Sequence, residues 1–372
     1  MNVLHIGTEK TWRGGENQIR LLIENSEKTD VVHHIAYPRH SPGFLRLSQL
    51  CPSLELPSTG SADIRSVLCL LRYCREQKID LIAAQSSHGH SLGLWLKHFN
   101  SNLPLVVHRR VDSPLKRNFI SKQKYTSSKV QHFIPVSRCI QNILLSSGVN
   151  ESKMTLVYDS VDSAIYKNLN RLTARQNLLC KLNLPVDTHL IGNASALSPQ
   201  KGHDVLINAV KILKDQNLNF HCLIAGVGVL QEYLQQLVKD LELQNHISFL
   251  GFVDNVPELL GALDVVAMPS NNEGLGSLLL EATYASCGIA ATRVGGIPEF
   301  ISHGHTGFLS PKGDASELAK NLYLLMTNPA LRFEMVQHAQ KHLQRHFCLS
   351  TTIEKTLLVY RQAKDASKKQ SC

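Results

Sequence analysis

Two glutamates stand eight positions apart in a stretch that can hold a phosphorylated sugar. Residues 270–281 read SNNEGLGSLLLE, with Glu273 near the start and Glu281 at the end. The apolar run 263–269 precedes the stretch and is typical of a strand, while the run 277–285 is typical of a helix. The order is therefore strand, tight loop and helix, with one carboxylate in the loop and the other inside the helix.

Glycines between the two glutamates allow close contact with a ligand. Gly274 and Gly276 let the backbone approach a bound group, and free N–H groups at a helix start favour an anion such as a phosphate. Ionised carboxylates accept hydrogen bonds from sugar and ribose hydroxyls, so Glu273 and Glu281 suit a nucleotide-sugar. A capped core helix with two solvated glutamates explains the same pattern.

Two other loops also lead into predicted helices. Lys201 precedes Gly202 and the predicted helix 204–215, where its ammonium can lie over a diphosphate. Gly14 and Gly15 form a second small-residue loop, but it lacks the GxGxxG spacing of dinucleotide-binding enzymes, which disfavours a nicotinamide cofactor. A surface lysine and a plain loop-to-helix turn are the simpler interpretations of these two features.

One histidine and a basic run follow a strand of the first half. His108 ends the predicted strand 105–108, at the edge of a parallel sheet where ligands bind, although most strand-end histidines are structural. Seven basic residues then follow: Arg109, Arg110, Lys116, Arg117, Lys122, Lys124 and Lys129. With Phe119, Ile120 and Tyr125 among them, they suit an anionic membrane surface or, more simply, a solvated face.

The elements that position these residues alternate between strands and helices. The predicted strands are 3–6, 31–36, 81–84, 105–108 and 132–136, then 189–192, 220–225, 247–250, 263–269 and 288–292. The predicted helices are 17–24, 64–77, 139–146, 204–215, 230–241, 256–262, 277–285, 315–326, 331–345 and 351–364. This alternation indicates an α/β fold with two parallel, doubly wound sheets, and the polar stretch 167–187 is interpreted as their connection.

Composition limits the classes of protein. The chain has 372 residues, 43% hydrophobic and 19% charged, which suits two globular domains. No apolar run approaches the ~18 residues of a membrane span, and residues 1–7 predict a first strand rather than a signal peptide. Nine cysteines without metal-binding spacing favour a reducing cytoplasm and no metal site. The formal charge of +9 favours an anionic partner.

Taken together, these residues resemble the retaining glycosyltransferases of the GT-B fold, family four, also described as glycosyl transferases group 1. The marks are Gly14-Gly15-Glu16, His108, Pro135-Val136-Ser137, Ser160-Val161-Asp162, Ser198-Pro199-Gln200-Lys201-Gly202, residues 270–281, Gly295-Gly296-Ile297-Pro298-Glu299 and Gly304-His305-Thr306-Gly307. The resemblance implies two Rossmann-like domains that face a central cleft. An acceptor domain would span 1–166 and a donor domain 167–350, with helix 351–366 packed back on the first.

The resemblance also implies roles in the donor domain. Glu273 would contact hydroxyls of the transferred sugar, and Glu281 would bind the ribose. Amides near Leu275 and Gly276, together with Lys201, would stabilise the departing diphosphate, so neither a metal nor a cofactor is needed.

Further roles follow from the same resemblance. Gly14 and Gly15 would approach the diphosphate from the other domain, and His108 would bond the donor sugar. The loop that contains Val253 would lie against the base. One departure is Ala196, which stands where the family usually has an arginine.

The leading hypothesis is therefore transfer from a nucleotide-sugar donor to a saccharide or lipid-linked acceptor of the cell envelope. A cytoplasmic location is expected, with an anionic membrane surface as a further partner. A sugar-nucleotide epimerase and a non-catalytic nucleotide-sugar-binding relative are the alternatives, the latter motivated by Ala196. No nucleic acid is expected as a partner, because the basic residues form no recognition motif.

Overall fold

The chain folds into two compact units. The computed structural model describes residues 1–57, 60, 63–112, 119–216 and 218–370. Residues Met1–Ser160 and the segment from Leu349 onward form the first unit, and Val161–Cys348 form the second. Residues 161–166, assigned from the sequence to the first domain, therefore belong to the second unit.

The first unit has a parallel sheet of six strands in the described residues. The strands are β1 (Asn2–Ile6), β2 (Val32–Pro38), β3 (Ser53–Leu56), β4 (Leu81–Ala84), β5 (Leu105–Arg109) and β6 (His132–Pro135). The helices are α1 (Gly14–Glu24), α2 (Pro42–Leu47), α3 (Ile64–Glu76), α4 (Ser87–Phe99), α5 (Phe119–Tyr125) and α6 (Arg138–Ser146). The strand order β3-β2-β1-β4-β5-β6 reverses between β1 and β4.

The second unit repeats this plan with another six-stranded parallel sheet. Its strands are β7 (His189–Ala194), β8 (Phe220–Ala225), β9 (Ile247–Gly251), β10 (Val265–Met268), β11 (Gly288–Thr292) and β12 (Phe308–Ser310). The helices are α7 (Ala164–Lys167), α8 (Arg171–Lys181), α9 (His203–Lys214), α10 (Gln231–Asp240), α11 (Val256–Ala262), α12 (Ser277–Tyr284), α13 (Ile297–Phe300), α14 (Ala315–Thr327) and α15 (Pro329–His346). The order β12-β11-β10-β7-β8-β9 reverses between β10 and β7, so the predicted α/β class is confirmed.

The last helix, α16 (Leu349–Gln370), completes the core of the first unit. Leu357 and Tyr360 are 3% and 0% exposed and pack in one cluster with Val3 and Ile134 of the sheet. The helix continues to Gln370, beyond the ends expected from its pattern (364) and from the resemblance (366). Ser367 is buried there and bonds to the carbonyl oxygen of Asn102.

The stretch 167–187, interpreted as a connection from its polar composition, contains α8, and that interpretation was wrong. Arg175 of this helix pairs with Asp264 at 3.0 Å and donates to the carbonyl oxygen of Thr188 at 2.6 Å. Only Ala174 and Leu179 of the helix are buried. Polar contacts hold α8 more than an apolar stripe does, which explains the weak hydrophobic periodicity.

Candidate functional site

Lys201 and Glu273 meet where the strand order of the second sheet reverses. Lys201 follows β7 and Glu273 follows β10, and these two strands are neighbours. Ligands of open α/β sheets bind beyond the strand carboxyl ends at such a reversal. Lys201 Nζ lies 2.5 Å from Glu273 Oε2, and the side chains are 22% and 14% exposed. The ammonium suits a phosphate oxygen, and the carboxylate suits a sugar hydroxyl.

Backbone contacts fix the two loops against each other. The N–H of Asn271 donates to the carbonyl oxygen of Gln200 at 2.8 Å, and its side-chain amide donates to that of Pro199 at 2.9 Å. Gly202 has φ +61°, and a Cβ there would lie 2.1 Å from the carbonyl oxygen of Pro269. Glycine is therefore required both by the backbone conformation and by the close approach.

Gly202→Ala tests this packing. We expect the free energy of unfolding to fall by about 2 kcal/mol or more, since strain and overpacking add together. The matched control is Gly313→Ala, because Gly313 has φ +77° but a Cβ there would have open space within 4 Å. In that control the free energy of unfolding should fall by only about 1 kcal/mol. Urea titrations compare the two variants, and equal losses would contradict the close approach.

The start of α12 offers backbone donors beside this ion pair. Gly276 precedes the helix with φ +90°, and no side chain caps that end. Gly274 and Leu275 are buried in the preceding loop, and the N–H of Gly296 donates to the carbonyl oxygen of Glu273 at 3.1 Å. A helix start without a side-chain cap carries partial positive charge and suits an anion.

Glu281 lies one turn into α12 with a tyrosine as partner. The phenol of Tyr166, in α7, hydrogen-bonds to this carboxylate. Burial, followed by the negative charge of Glu281, raises the pKa of Tyr166 well above its usual range, so the phenol remains a donor. The ring of Tyr166 also stacks on Tyr284 with centroids 6.0 Å apart. Glu281 is partly exposed, with the Tyr166 phenol beside its carboxylate.

Val253 lies at the same edge of the sheet but farther from the ion pair. It follows β9, which β8 separates from β7. Val253 is half-buried, and its neighbour Phe252 is 50% exposed. The structure therefore places an apolar surface two strands away from Lys201.

In the first unit, Gly14 and Gly15 are the first residues of α1, which begins three positions before the predicted start at 17. The carboxylate of Glu16 accepts a hydrogen bond from the N–H of Arg13 at 3.1 Å and so fixes this start. A Cβ on Gly15 would lie 3.5 Å from Cδ of Arg110. The glycine loop therefore lies beside an arginine of its own unit.

His108 lies inside the first unit. Its side chain is 6% exposed, and Nε2 is 2.7 Å from Oη of Tyr360. Burial, with a smaller effect of Arg110, holds the pKa of His108 well below its usual range, so the imidazole is neutral. Nδ1 is therefore the ring nitrogen left for any sugar hydroxyl.

The basic run does not form one exposed face. Arg109 is 6% exposed and donates to Oη of Tyr125 at 2.6 Å. Arg110 pairs with Asp159 at 3.2 Å and donates to Oε1 of Gln85 at 2.7 Å. The interpretation of these two arginines as part of a solvated or membrane-facing surface was therefore wrong, because both belong to internal polar networks.

The remaining basic residues of the run have mixed environments. Lys122 of α5 is exposed, as is Phe119, at 78%. Lys124 bonds to the carbonyl oxygen of Ser87 at 2.5 Å. Lys116 and Arg117 lie outside the described residues.

Two family models together match most of the chain. Glycosyl transferases group 1 matches residues 175–342, and Glycosyltransferase Family 4 matches residues 12–164. The chain belongs to these glycosyltransferases. The family predicted from the sequence is thereby confirmed.

This glycosyltransferase is similar in sequence to enzymes of known activity. It is 29% identical over 51% of its length to N-acetyl-alpha-D-glucosaminyl L-malate synthase of Bacillus anthracis, covering 49% of that protein. The chain spans about half the length of the first curated relatives it matches.

Solved structures agree over nearly the whole chain. HepE of Anabaena, in complex with UDP and glucose, has a TM-score of 0.86 at 22% identity, with 97% of this chain and 100% of HepE covered. WaaG, a glycosyltransferase involved in lipopolysaccharide biosynthesis, has a TM-score of 0.74 at 14% identity, with 96% and 99% covered. The predicted GT-B fold is confirmed.

Ala196 stands where the resemblance implies an arginine. Two arginines of other loops are candidates to supply the missing charge. Arg13 pairs with Glu9 at 3.6 Å in the first unit, and Arg293 is exposed just after β11. Because β11 neighbours β10, Arg293 shares the carboxyl edge of the sheet with Lys201. The second unit thus carries a further cation at this edge.

Two other kinds of feature are absent from the described ranges. No group of three or more His, Cys, Asp or Glu side chains there could hold a metal ion. No helix in those same ranges combines the length and the apolar character needed to cross a membrane.

The Tyr166 contact predicts a defect in donor binding. Tyr166→Phe keeps the ring stack but removes the hydrogen bond to Glu281, so we expect the donor KM to rise about fivefold with kcat nearly unchanged. Tyr284→Phe is the control, since it also keeps the stack and removes a hydroxyl that interacts with Ser163 rather than with Glu281. Steady-state kinetics with the donor check this, and a matching rise in KM for both variants would contradict it.

Glu16 predicts a pH dependence of stability. Burial raises the pKa of Glu16 from 4.5 to about 7. Between these values the folded protein binds more protons than the unfolded chain, so stability falls as pH rises through the window and the loss is complete above about pH 7. Glu16→Gln has no such carboxyl group, so we expect its free energy of unfolding to fall by about 3 kcal/mol less than that of the wild type over the same pH window. Urea titrations of both proteins at about pH 5 and about pH 8 measure it, and parallel profiles would contradict the raised pKa.

Sequence reasoning missed two residues of the site. Tyr166 stands 115 positions before its partner Glu281, and no spacing signal connects residues so far apart. Ser270, whose hydroxyl donates to Glu273 Oε2 at 3.3 Å, lies inside the stretch first singled out. Its position directly after the strand was the available signal.

Proposed function

We propose that this glycosyltransferase moves a sugar from a UDP-sugar to a saccharide or lipid-linked acceptor of cell-envelope polysaccharide or lipopolysaccharide. We further propose that it retains the anomeric configuration and needs no metal. HepE was solved with UDP and also with UDP-glucose, which supports this donor class. WaaG, named for lipopolysaccharide biosynthesis, supports the acceptor class.

One observation carries the proposal: the Lys201–Glu273 ion pair lies beside a helix start without a side-chain cap. In this account the phosphates bind the amides near Gly274, Leu275 and Gly276. The ammonium of Lys201 then turns from Glu273 to a phosphate oxygen. Glu273 Oε2, released from its 2.5 Å contact, accepts a hydrogen bond from a sugar hydroxyl instead.

The same groups stabilise the chemical step. As the bond between the anomeric carbon and the phosphate oxygen breaks, its electron pair stays on that oxygen. The amides of the α12 start and Lys201 stabilise this charge, a role that a metal fills in other enzymes. The acceptor oxygen attacks the anomeric carbon from the same face, and its proton passes to the departing phosphate oxygen.

Other residues would hold the rest of the donor. Glu281 accepts hydrogen bonds from the ribose hydroxyls, with Tyr166 fixing its orientation. The loop with Val253 lies against the base. Gly14 and Gly15 leave room for the diphosphate, and His108 offers Nδ1 to the transferred sugar.

The first unit would meet the acceptor at a membrane surface in the cytoplasm. Phe119 and Lys122 of α5 combine an exposed aromatic ring with an exposed cation. Such a pair suits the anionic headgroup region of a bilayer. A lipid-linked acceptor would be presented from that surface.

Product analysis tests the function. The purified protein is incubated with a panel of UDP-sugars, with and without lipid and saccharide extracts of the envelope. We expect UDP release and a new glycoside that depend on an acceptor, with the configuration of the donor retained. Conversion of the sugar nucleotide without acceptor would identify an epimerase, and UDP binding without turnover would identify a non-catalytic relative.

A further inference from the structure

A concave site whose lining includes neither Lys201 nor Glu273 lies in the second unit. It is a crevice of about 440 Å³ between α13, the turn that follows it, and α15. Its charged and titratable lining consists of Glu299, His305, His338, Lys341, His342 and Arg345. We call it the α15 crevice.

One face of α15 supplies most of this lining. His338, Lys341, His342 and Arg345 follow the spacing i, i+3, i+4 and i+7, which brings them to the same side of a helix. All of them face the same crevice. Lys341 and Arg345 are exposed, whereas His338 and His342 are half-buried. The helix thus presents two exposed cations, Lys341 and Arg345, next to two half-buried imidazoles.

A histidine from the opposite wall completes the cluster. His305, in the turn after α13, stacks on His338 with ring centroids 4.0 Å apart and planes at 26°. Both rings line the crevice, and an imidazole carries at least one N–H that can donate to a ligand. Glu299 is the carboxylate in this lining.

We propose that the α15 crevice binds a phosphate group. Arg345 offers a planar fork and Lys341 a point charge, the two cationic geometries that bind phosphate oxygens. His305 and His338 add neutral or charged N–H donors at the same place. A metal ion is disfavoured because it would meet two permanent cations, and these histidines form no metal-holding group within the described part of the chain.

The crevice is joined to the donor-binding edge through α13. Pro298, Glu299 and Phe300 of this short helix line the crevice. Gly296, immediately before the helix, donates its N–H to the carbonyl oxygen of Glu273 at 3.1 Å. A phosphate in the crevice would therefore contact the far end of the segment that supports Glu273. The binding proposal itself does not rest on the proposed sugar transfer.

Calorimetric titration of the full chain with inorganic phosphate tests the proposal. We expect Arg345→Gln combined with His338→Gln to weaken phosphate binding about tenfold or more. Lys239→Gln is the matched control, because Lys239 also lies in the last turn of a helix of this unit, α10. Lys201→Met separates the two sites, since phosphate binding in the α15 crevice should survive that change.

Vesicles identify the source of the phosphate group. Phosphatidylcholine vesicles with and without phosphatidic acid are tested for binding in the same variants. Loss of either free-phosphate binding or phosphatidic-acid-dependent vesicle binding in the double variant supports the proposal and names the source. If neither kind of binding depends on Arg345 and His338, the proposal is overturned. Turnover of a sugar donor is measured separately and can be normal in either case.

Discussion

Replacing Glu273 by glutamine should lower sugar transfer by about 10²- to 10³-fold while UDP binding changes only a few-fold. The carboxylate has two tasks in this account. It balances Lys201 at 2.5 Å before the donor binds, and it then accepts hydrogen bonds from a sugar hydroxyl. A glutamine of the same shape carries no charge, so it can do neither fully. The kcat/KM of transfer and the Kd of UDP, measured on one preparation, separate these effects.

A second glutamate of the same unit supplies the control for this variant. Glu317 pairs with Lys320 at 3.4 Å, with side chains 32% and 67% exposed. Glu317→Gln therefore also takes a carboxylate away from a lysine, but in a pair that is more exposed than Lys201–Glu273. It should leave kcat/KM unchanged. Equal turnover in the Glu273 variant and the wild type would remove Glu273 from the reacting site.

Lys201→Met should lower kcat by about 10²-fold and weaken UDP binding about tenfold. Methionine keeps most of the aliphatic stem but removes the ammonium that stabilises the departing diphosphate. The larger effect on kcat follows because negative charge on the leaving oxygen grows in the transition state. Single-turnover kinetics and UDP titrations measure the two parts, and Lys320→Met is the matched control.

The double variant of Lys201 and Glu273 tests whether the pair acts together. Each single change removes one member of the ion pair and leaves the charge of the other member in a half-buried position. Removing both should therefore cost less than the sum of the two single losses. Losses that simply add would mean that the ion pair seen here has no part in the function.

The fold was well predicted wherever parallel strands are buried on both sides. Such strands give continuous apolar runs, so β8 and β11 have the bounds expected from the sequence. β3 was missed because Ser53–Leu56 is a short strand at the edge of its sheet, with only Leu56 buried. α8 was missed for a related reason, since arginine contacts rather than an apolar stripe hold it in place.

The sequence predicted a contact of the site only where the order of strands along the chain determines which residues meet. Lys201 and Glu273 follow adjacent strands of one sheet, so their meeting at its edge could be expected. The Tyr166–Glu281 contact joins distant parts of the chain and had no such signal. Arg109 and Arg110 resembled a surface run because sequence does not show that Tyr125, Gln85 and Asp159 bind them internally.

The most direct test of the central claim is a crystal structure of this protein with UDP bound. The account predicts both phosphates against the start of α12, within hydrogen-bond distance of the amides near Gly276 and of Lys201 Nζ. It also predicts that the Lys201–Glu273 contact has opened to admit them. Phosphates bound away from this helix start, with the ion pair intact, would contradict the account.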